Sequence, residues 1–394
     1  MRLYTTANLP SNLMQRSFAA NLMRMQPNGN APLFAISGLA RSQSIAAVAH
    51  SYWSKTLVFP KVTLNGAHTN SVTTLTVLDS SEVEAGSLLL NETWSAGTWS
   101  APELIYITSV DSATSLTVVR GYGGTTGTAM LDADVLIETG NTFEEGSSQP
   151  VARAVTQAEH TNFTQIFRNT WDATRTAKQV KLESGVQLEA ENQEDAMFFH
   201  GMDIEYNTIW GRKGTTTING RPARTMDGIE AIVEAFAPGN LAAAGSTTTY
   251  AQLEAMLDPL FDTIANGRGA TNHRTLYVGS LALQVINEIG RASGYFELAP
   301  NQTSFGMQFH TFRTTRGTFD LIEHSLLNAH ASTKGMCIVA DLSSFDYQYL
   351  QETMHEDSST PGQDATSGVF TTEVTMEITN PLGWGIIYGL TAGA

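Results

Sequence analysis

The stretch EAENQEDAMFFHGMDIEYNTIW, residues 189–210, is the clearest helical pattern in the chain. Four of its apolar residues recur at the spacing of one helix side and are expected to be buried together: Phe199, Met202, Tyr206 and Ile209. Four carboxylates crowd its first turns, where the helix dipole favours negative charge: Glu189, Glu191, Glu194 and Asp195. The sequence therefore predicts a long helix that begins with acidic residues and ends before Gly211.

Shorter helices and several strands are predicted downstream. Apolar spacing predicts a helix with Thr225 as its N-cap, one from about Tyr250 to Ile264, and one capped by Ser280. The residues expected on their buried sides are Ile229, Ile232, Val233, Phe236, Ala282, Val285, Ile286 and Ile289. The strand at 370–378 alternates apolar with polar residues, which predicts one buried and one wet face. This part of the chain is predicted to be α+β, with helices on a mostly antiparallel sheet.

The region before the long helix has a different pattern. Residues 67–138 contain short strands separated by turn residues, which is typical of a small all-β barrel or sandwich. Strand-like sequence lies on both sides of it, at Lys55–Leu64 and Gln165–Trp171, so we interpret 67–138 as an inserted domain. Residues 1–50 are polar with scattered apolar anchors, and we expect an extended arm that lies on another surface.

Charge is distributed unevenly along the chain. The first 78 residues carry six cationic groups and no carboxylate, whereas all 38 carboxylates follow, for a formal charge of −16 overall. Only 15% of the residues are charged, against about a quarter in an ordinary soluble domain. A basic stretch is attracted to the acidic body of its own or a sister copy. The pattern favours self-assembly, and the negative charge argues against a nucleic-acid-binding body.

Signals for chemistry are weak. The glycines at 121, 123, 124 and 127 miss the dinucleotide spacing and precede no helix, so a turn is the favoured interpretation. The nine histidines do not pair at metal-ligand spacing. Cys337 is the single cysteine, lies in an apolar run and is expected to be a buried small hydrophobe. We predict no catalytic residue, no cofactor and no metal.

The order of these parts resembles that of a known family. Five stretches carry the resemblance: MQPNGNAPLFA at 25–35, TLVFP at 56–60, NTFEEG at 141–146, TQIFRNTW at 164–171 and RTMDGI at 224–229. They are similar to the major capsid proteins of tailed bacteriophages with the Hong Kong 97-type fold. The chain looks like the subgroup with an extra β domain in the extended loop, where TVVRGYGGT at 117–125 recurs in small β domains of phage particles.

The resemblance implies a division of the chain. Residues 1–50 would be the extended N-terminal arm, and 51–66 with 139–182 the two sides of an extended β loop lying over a neighbouring subunit. Residues 67–138 would be the inserted domain, on the outer surface as a brace or docking point. Residues 183–224 would form the peripheral domain around the long helix, with strands from 366–380. Residues 225–394 would be the axial domain and the C-terminal strands.

The resemblance also points to candidate contacts between subunits. They are Arg16, Arg24, Arg41, Glu144, Glu145, Arg153, Arg168, Trp171, Arg175 and Lys178. The loop cations among them are expected to meet carboxylates of an adjacent copy. Ion pairs within one chain remain the alternative, since surface pairs alone contribute little.

The expected function is that of a major capsid protein, assembled as hexamers and pentamers into the icosahedral shell of a virion. Its expected partners are portal, scaffolding and decoration proteins and packaged double-stranded DNA, bound without sequence specificity. The single cysteine and the absence of a signal-like or membrane-spanning apolar run predict synthesis in the bacterial cytoplasm, with no membrane contact. Two alternatives stay open: an encapsulin-like nanocompartment shell, and a carbohydrate-active enzyme that uses Trp94, Trp99 and Tyr106 as sugar platforms.

Overall fold

The computed structural model describes residues 36, 41–55, 57, 59–91, 102–149, 157–180, 187–245, 248–262, 272–293, 300–304, 307–314 and 316–391. The chain divides into two compact units. Unit 1 comprises residues 1–54 and 158–394, and unit 2 comprises residues 55–157.

Strands dominate the described residues. In chain order, β1 to β21 are Arg41–Ser44, Ala49–Ser54, Lys61–Thr63, Thr74–Thr76, Ser87–Asn91, Leu104–Ser112, Ser115–Val119, Val135–Asn141, Ala158–Phe163, Gln165–Thr174, Gly214–Ile218, Arg221–Thr225, Leu241–Ala243, His273–Val278, Pro300–Ser304, Met307–Arg313, Thr318–Glu323, Cys337–Ala340, Phe345–Asp357, Ala365–Ile378 and Gly385–Tyr388. The helices α1 to α5 are Arg175–Gln179, Leu188–Trp210, Ile229–Phe236, Tyr250–Leu257 and Ser280–Ser293.

A seven-stranded sheet organises one half of unit 1, in the order β13-β21-β18-β14-β17-β16-β15. The pairs β13–β21 and β14–β17 are parallel and the other pairs are antiparallel. Successive side chains of a strand point to opposite faces, so Leu276 and Val278 pack with α4 and α5 while Tyr277 enters the core of α2 and α3. Both faces of this sheet are therefore buried, and most of its strand pairs are antiparallel, as predicted.

A four-stranded sheet, β1-β19-β20-β10, forms the other half of unit 1. Val374 and Met376 of β20 are buried in the core shared with α2. The opposite face was predicted to be wet, and this prediction is wrong, because Thr371 and Thr375 are also buried. The reason is a second layer: side chains from β2 and from the end of β9 reach Glu377 and Glu373 on that face.

The long helix α2 has the predicted bounds but a different buried side. Its buried residues are Ala196, His200, Ile204, Glu205, Thr208 and Ile209. Of the four residues predicted to be buried only Ile209 is, and Phe199 is 51% exposed. Hydrogen bonding explains the difference, because His200 lies 2.8 Å from Asn169 Oδ1 and 2.6 Å from Thr372 Oγ1. Polar residues thus attach the helix to the sheet at positions where apolar periodicity gives no signal.

The shorter helices follow their sequence signals more closely, although the predicted burial of Phe236 is wrong: it is the last residue of α3 and is 45% exposed. In α5 the four predicted residues, Ala282, Val285, Ile286 and Ile289, are buried as expected. A capping box between Thr249 and Gln252 starts α4, which becomes a 3-10 turn from Asp258. The predicted N-cap of α3 is wrong: Gly228 occupies that position, and the Thr225 hydroxyl donates to the Arg212 carbonyl instead.

Unit 2 is a six-stranded antiparallel sheet in the order β3-β8-β5-β6-β7-β4. A bridge between Leu64 and Val77 joins its two edge strands, so the sheet closes into a small barrel. Its core is apolar: Val62, Leu64, Leu75, Val77, Val83, Leu89, Ile105, Ile107, Leu116, Val118, Met130 and Leu136. The sheet begins at Lys61 and ends at Asn141, beyond the limits 67–138 drawn from the sequence.

A buried ion pair holds the glycine-rich turn of this barrel. The Glu103 carboxylate accepts two hydrogen bonds of 2.7 Å from the Arg120 guanidinium and others from the backbone of Gly121 and Thr128. Burial alone would raise the pKa of Glu103, but these hydrogen bonds outweigh it and lower the pKa. Gly121 has φ +62°, in the left-handed region that favours glycine. The turn is structural, as the sequence predicted.

Replacement of this carboxylate tests the account of unit 2. Glu103→Gln leaves the Arg120 charge buried without its counter-charge, so we expect the free energy of unfolding of the barrel to fall by about 3–5 kcal/mol. Hydrogen exchange of peptides from 55–157 in increasing urea measures the effect. Glu145→Gln, at an exposed turn position of the same unit, is the control. Equal exchange in both variants would contradict the role assigned to Glu103.

Candidate assembly interface

An antiparallel pair of strands, β2 and β9, forms a two-stranded ribbon in unit 1. Its inner side carries Tyr52 and His160, which are buried and stacked with ring centroids 5.2 Å apart. Its outer side carries Trp53, which is 61% exposed. An isolated two-stranded ribbon is only marginally stable, so the ribbon depends on its inner contacts for stability. Its outer side remains available for contact with another surface.

The ribbon is attached to the four-stranded sheet mainly through polar groups. His50 Nε2 lies 2.8 Å from Glu377 Oε2. The Asn162 side-chain amide donates to the carbonyls of Met376 and Asp227, and its oxygen accepts from the Asp227 amide at 2.8 Å. Beyond β9, the Thr164 hydroxyl donates to Glu373 Oε1 at 2.6 Å. Directional hydrogen bonds of this kind fix the angle at which the ribbon leaves the sheet.

A buried carboxylate joins three distant parts of unit 1. Glu205 of α2 is fully buried, and its Oε1 accepts from the Ile36 amide at 2.8 Å. The same oxygen lies 3.1 Å from Nε2 of the buried His324. Burial, followed by the nearby Glu205 charge, raises the pKa of Tyr277 well above its ordinary value. Ile36 is itself fully buried, so the chain before β1 is tied to its own core here.

Strand β1, residues 41–44, also lies on its own chain. Strand β1 pairs in parallel with β19 at the edge of the four-stranded sheet. Arg41 Nε lies 2.8 Å from Asp346 Oδ1, and its Nη2 donates to the Ser343 carbonyl at 2.8 Å. Burial raises the pKa of Asp346 although Arg41 opposes the shift. The described part of the predicted arm is therefore anchored within unit 1, while Arg16 and Arg24 lie outside the described residues.

The other charged candidates for contacts fall into four groups. Arg175 pairs with Asp364 at 2.9 Å and Lys178 with Glu189 at 2.8 Å, so both cations have partners within the chain. Arg168 on the edge strand β10 is exposed and forms no ion pair within the described residues. The exposed Glu144 and Glu145 lie near the end of the described part of unit 2. Arg153 lies outside the described residues.

Trp171 is the candidate that the fold uses internally. Its side chain is only 7% exposed, its ring stacks on His355 at 5.8 Å, and its indole N–H donates to His355 Nε2 at 3.0 Å. That hydrogen bond requires Nε2 of His355 to be unprotonated. Little of the tryptophan surface is left for a contact with another copy.

Sequence reasoning missed the residues with the clearest interface character. Trp53 belongs to a six-residue strand in which every second residue faces inwards. Its sequence, AHSYWS, does not alternate apolar with polar residues, so it gave no signal for which side would be exposed. The pairing of His50 with Glu377 was not predictable, because 327 residues separate the partners.

Neither a membrane span nor a metal site is found in the described parts of the chain. No helix there is both long and apolar enough to cross a membrane. No group of three or more His, Cys, Asp or Glu residues there is arranged to hold a metal ion. Cys337 is buried, which raises its pKa to about 12. The described residues thus offer surfaces for contact.

Comparison with known families gives this geometry its context. The model of the SU10 major capsid protein family matches residues 3–391. The chain belongs to this family. A major capsid protein of Pseudomonas phage PaMx41 is 30% identical over 405 aligned residues, which cover 98% of this chain and 94% of the relative. The major capsid protein predicted from the sequence is confirmed, and the carbohydrate-active enzyme is excluded because the family is structural.

A solved structure supports the fold. The capsid of a native GTA particle, computed with C5 symmetry, aligns over 100% of both chains with a TM-score of 0.50 and 9% identity. At this identity the similarity concerns the fold alone. The Hong Kong 97-type fold predicted from the sequence is confirmed. As a major capsid protein, the chain is a virion component that assembles with copies of itself.

Buried histidines make the stability of the capsid protein depend on pH. Burial lowers the pKa of His200 below its ordinary value of 6.5. Between the lowered pKa of His200 in the folded chain and its ordinary pKa in the unfolded chain, the unfolded chain binds more protons. The free energy of unfolding therefore rises with pH across this window. We expect the free energy of unfolding to decrease as the pH falls below about 6.5.

Urea unfolding of the unassembled chain at about pH 7.5 and pH 5 measures this dependence. His200→Gln can keep hydrogen bonds to Asn169 and Thr372 without taking up a proton, so we expect a smaller pH dependence. His330→Gln, at an exposed position, is expected to behave like the parent chain. An unchanged pH dependence in His200→Gln would show that another group is responsible.

Proposed function

We propose that this major capsid protein builds an icosahedral phage head from hexamers and pentamers. The head encloses double-stranded DNA without sequence-specific binding and works with portal, scaffolding and decoration proteins. Assembly takes place in the bacterial cytoplasm. The observation that carries the proposal is the ribbon, whose inner side is fixed by hydrogen bonds while Trp53 on the outer side is 61% exposed. Family membership supports self-assembly, and the outer side of the ribbon provides a defined surface for the contact between copies.

The proposed arrangement assigns a place to each part of the chain. The ribbon and the neighbouring parts of 51–66 and 139–182 lie over an adjacent subunit. The helix α2 is the spine of the peripheral domain. The seven-stranded sheet with α4 and α5 belongs to the axial domain, around the five-fold and six-fold axes. The barrel of unit 2 is a brace or docking point on the outer surface.

Net charge supports a container whose inner wall does not hold DNA tightly. The chain carries 38 carboxylates against 22 Lys and Arg residues. A wall with this balance repels phosphate on average. DNA is then confined by the shell rather than bound at sequence-reading sites, which suits packaging and release.

The tryptophan of the ribbon provides the first test. Covering the exposed part of a Trp side chain removes more than ~100 Å² of apolar surface from water, worth about 2–3 kcal/mol per contact. We expect Trp53→Ser to raise the concentration needed for shell assembly by more than tenfold. Light scattering and negative-stain microscopy of the purified chain measure it.

The control is Leu131→Ser, which replaces an exposed apolar residue of unit 2. It is expected to assemble like the parent chain. Equal assembly of Trp53→Ser and the parent would remove the ribbon from the contact. A parent chain that stays monomeric at high concentration would contradict assembly of the chain on its own. Particles recovered from infected cells with protein cargo in place of nuclease-protected DNA would contradict the proposed genome container.

A further inference from the structure

A second β-hairpin stands out from unit 1 without a core of its own. Strands β11 and β12 are joined by Asn219-Gly220, both with positive φ, which is the two-residue turn that matches strand twist. None of the residues 214–225, all of which the structure describes, is buried. Ile218 at the turn is 58% exposed. A two-stranded hairpin exposed on both faces is marginally stable in water, which indicates that another surface covers it.

The charges of this hairpin differ between its root and its tip. Arg212 at the root pairs with Glu230 and Glu234, and Lys213 lies 3.8 Å from Asp227. Arg221 and Arg224, further along the hairpin, form no ion pair within the described residues. The sequence has no carboxylate between Glu205 and Asp227. In the hairpin register Arg221 lies directly across from Ile218 on the same face, whereas Arg224 lies on the opposite face. One face of the outer hairpin therefore presents an apolar side chain beside a cation that has no ion pair within the described residues.

The outer side of α2 has the complementary character. Consecutive helical residues are about 100° apart, so Met197, Phe198 and Phe199 extend around about half of the helix circumference. Met197 is 55% and Phe199 51% exposed. One turn before them the same side carries Glu191, Glu194 and Asp195. The whole helix contains six carboxylates and no Lys or Arg.

We propose that the β11–β12 hairpin of one copy docks on the outer side of α2 of a second copy. Ile218 would pack on Met197 and Phe199, and Arg221, on the same face of the hairpin, would face the carboxylates of the helix. Two features indicate that the hairpin docks on α2 of a second copy. Both surfaces carry exposed apolar side chains, and the charges beside these side chains are opposite. Such a contact joins different patches of the two copies, so it propagates from copy to copy and closes into rings where the rotation allows.

The inference rests on the proposed shell assembly and adds a contact that the ribbon does not make. Cys337 is buried, so engineered cysteines report without interference from the native thiol. Copies carrying Ile218→Cys and differently tagged copies carrying Met197→Cys are mixed, assembled and oxidised. Because each copy has one new cysteine, a disulfide between the two tags forms only across subunits. We expect this mixed dimer as the main cross-linked product.

Matched controls identify the occupant. Ile166→Cys, 56% exposed on β10, replaces Ile218→Cys in one mixture and Trp53→Cys replaces it in another. Cross-linking of Met197→Cys to Trp53→Cys and not to Ile218→Cys would assign the helix to the ribbon and overturn the inference. Cross-linking to Ile166→Cys at the same yield would show non-specific proximity and also overturn it.

Charge dependence gives a second measurement that does not rely on a disulfide geometry. Adding Arg221→Gln to the Ile218→Cys copy is expected to slow cross-linking roughly threefold at low salt, the effect of one surface ion pair. High salt is expected to reduce the parent rate to a similar level. Arg224→Gln, on the opposite face of the same hairpin, is the control and is expected to leave the rate unchanged. A rate insensitive to Arg221→Gln would contradict the proposed pairing.

Negative-stain microscopy of the same mixtures distinguishes a failure of the docking from a failure of shell assembly. Particles with the mixed dimer support both the shell and the docking. Particles without the mixed dimer overturn the docking alone and leave shell assembly intact. A mixture that forms no particles, when the parent chain also forms none, contradicts the proposed function and with it the docking.

Discussion

The hydrogen bonding of Glu205 is the interaction on which the arrangement of unit 1 depends most. A fully buried carboxylate is costly unless it is hydrogen-bonded or paired. Here the Ile36 amide and His324 both approach one oxygen, and they come from positions 169 and 119 residues away. These contacts couple the positions of α2, Ile36 and His324, which directly follows β17 of the seven-stranded sheet. Movement of one of them relative to the others would break a hydrogen bond to the buried carboxylate.

A fixed core of this kind has a consequence for assembly. Closed shells require that the contact surfaces of each copy meet at repeatable angles. The ribbon is held by directional bonds from His50 and Asn162, and α2 is held on the sheet by His200. Polar groups thus fix the orientations of the ribbon and of α2, while the apolar cores supply most of the stability. Burial lowers the pKa of His200, so the attachment of α2 is also sensitive to pH.

Much of this fold was predictable from the sequence, and the failures have a common cause. The buried side of α5 follows from apolar periodicity, and the bounds of α2 follow from its acidic first turns and from Gly211 after its end. The buried side of α2 was not predictable from the sequence, because His200 and Glu205 are buried against hydrogen-bond partners that lie far away in the sequence. Thr371 and Thr375 are buried because a second layer lies on their face, which alternation within one strand cannot reveal. Thr225 fits the N-cap preference, yet its hydroxyl bonds elsewhere and Gly228 takes the position.

The interface was less predictable than the fold, and charge explains why. The sequence identified cations as contacts, but Arg41, Arg175 and Lys178 all have carboxylate partners within the chain. Exposed ion pairs contribute little each, so a cation by itself does not mark an interface. Exposed apolar residues beside unmatched charge are more informative, since burying them gains free energy and the charge selects the partner. In a shell, each such contact can remain weak because closed symmetry repeats it many times. Weak contacts also allow a misplaced copy to leave before the shell closes.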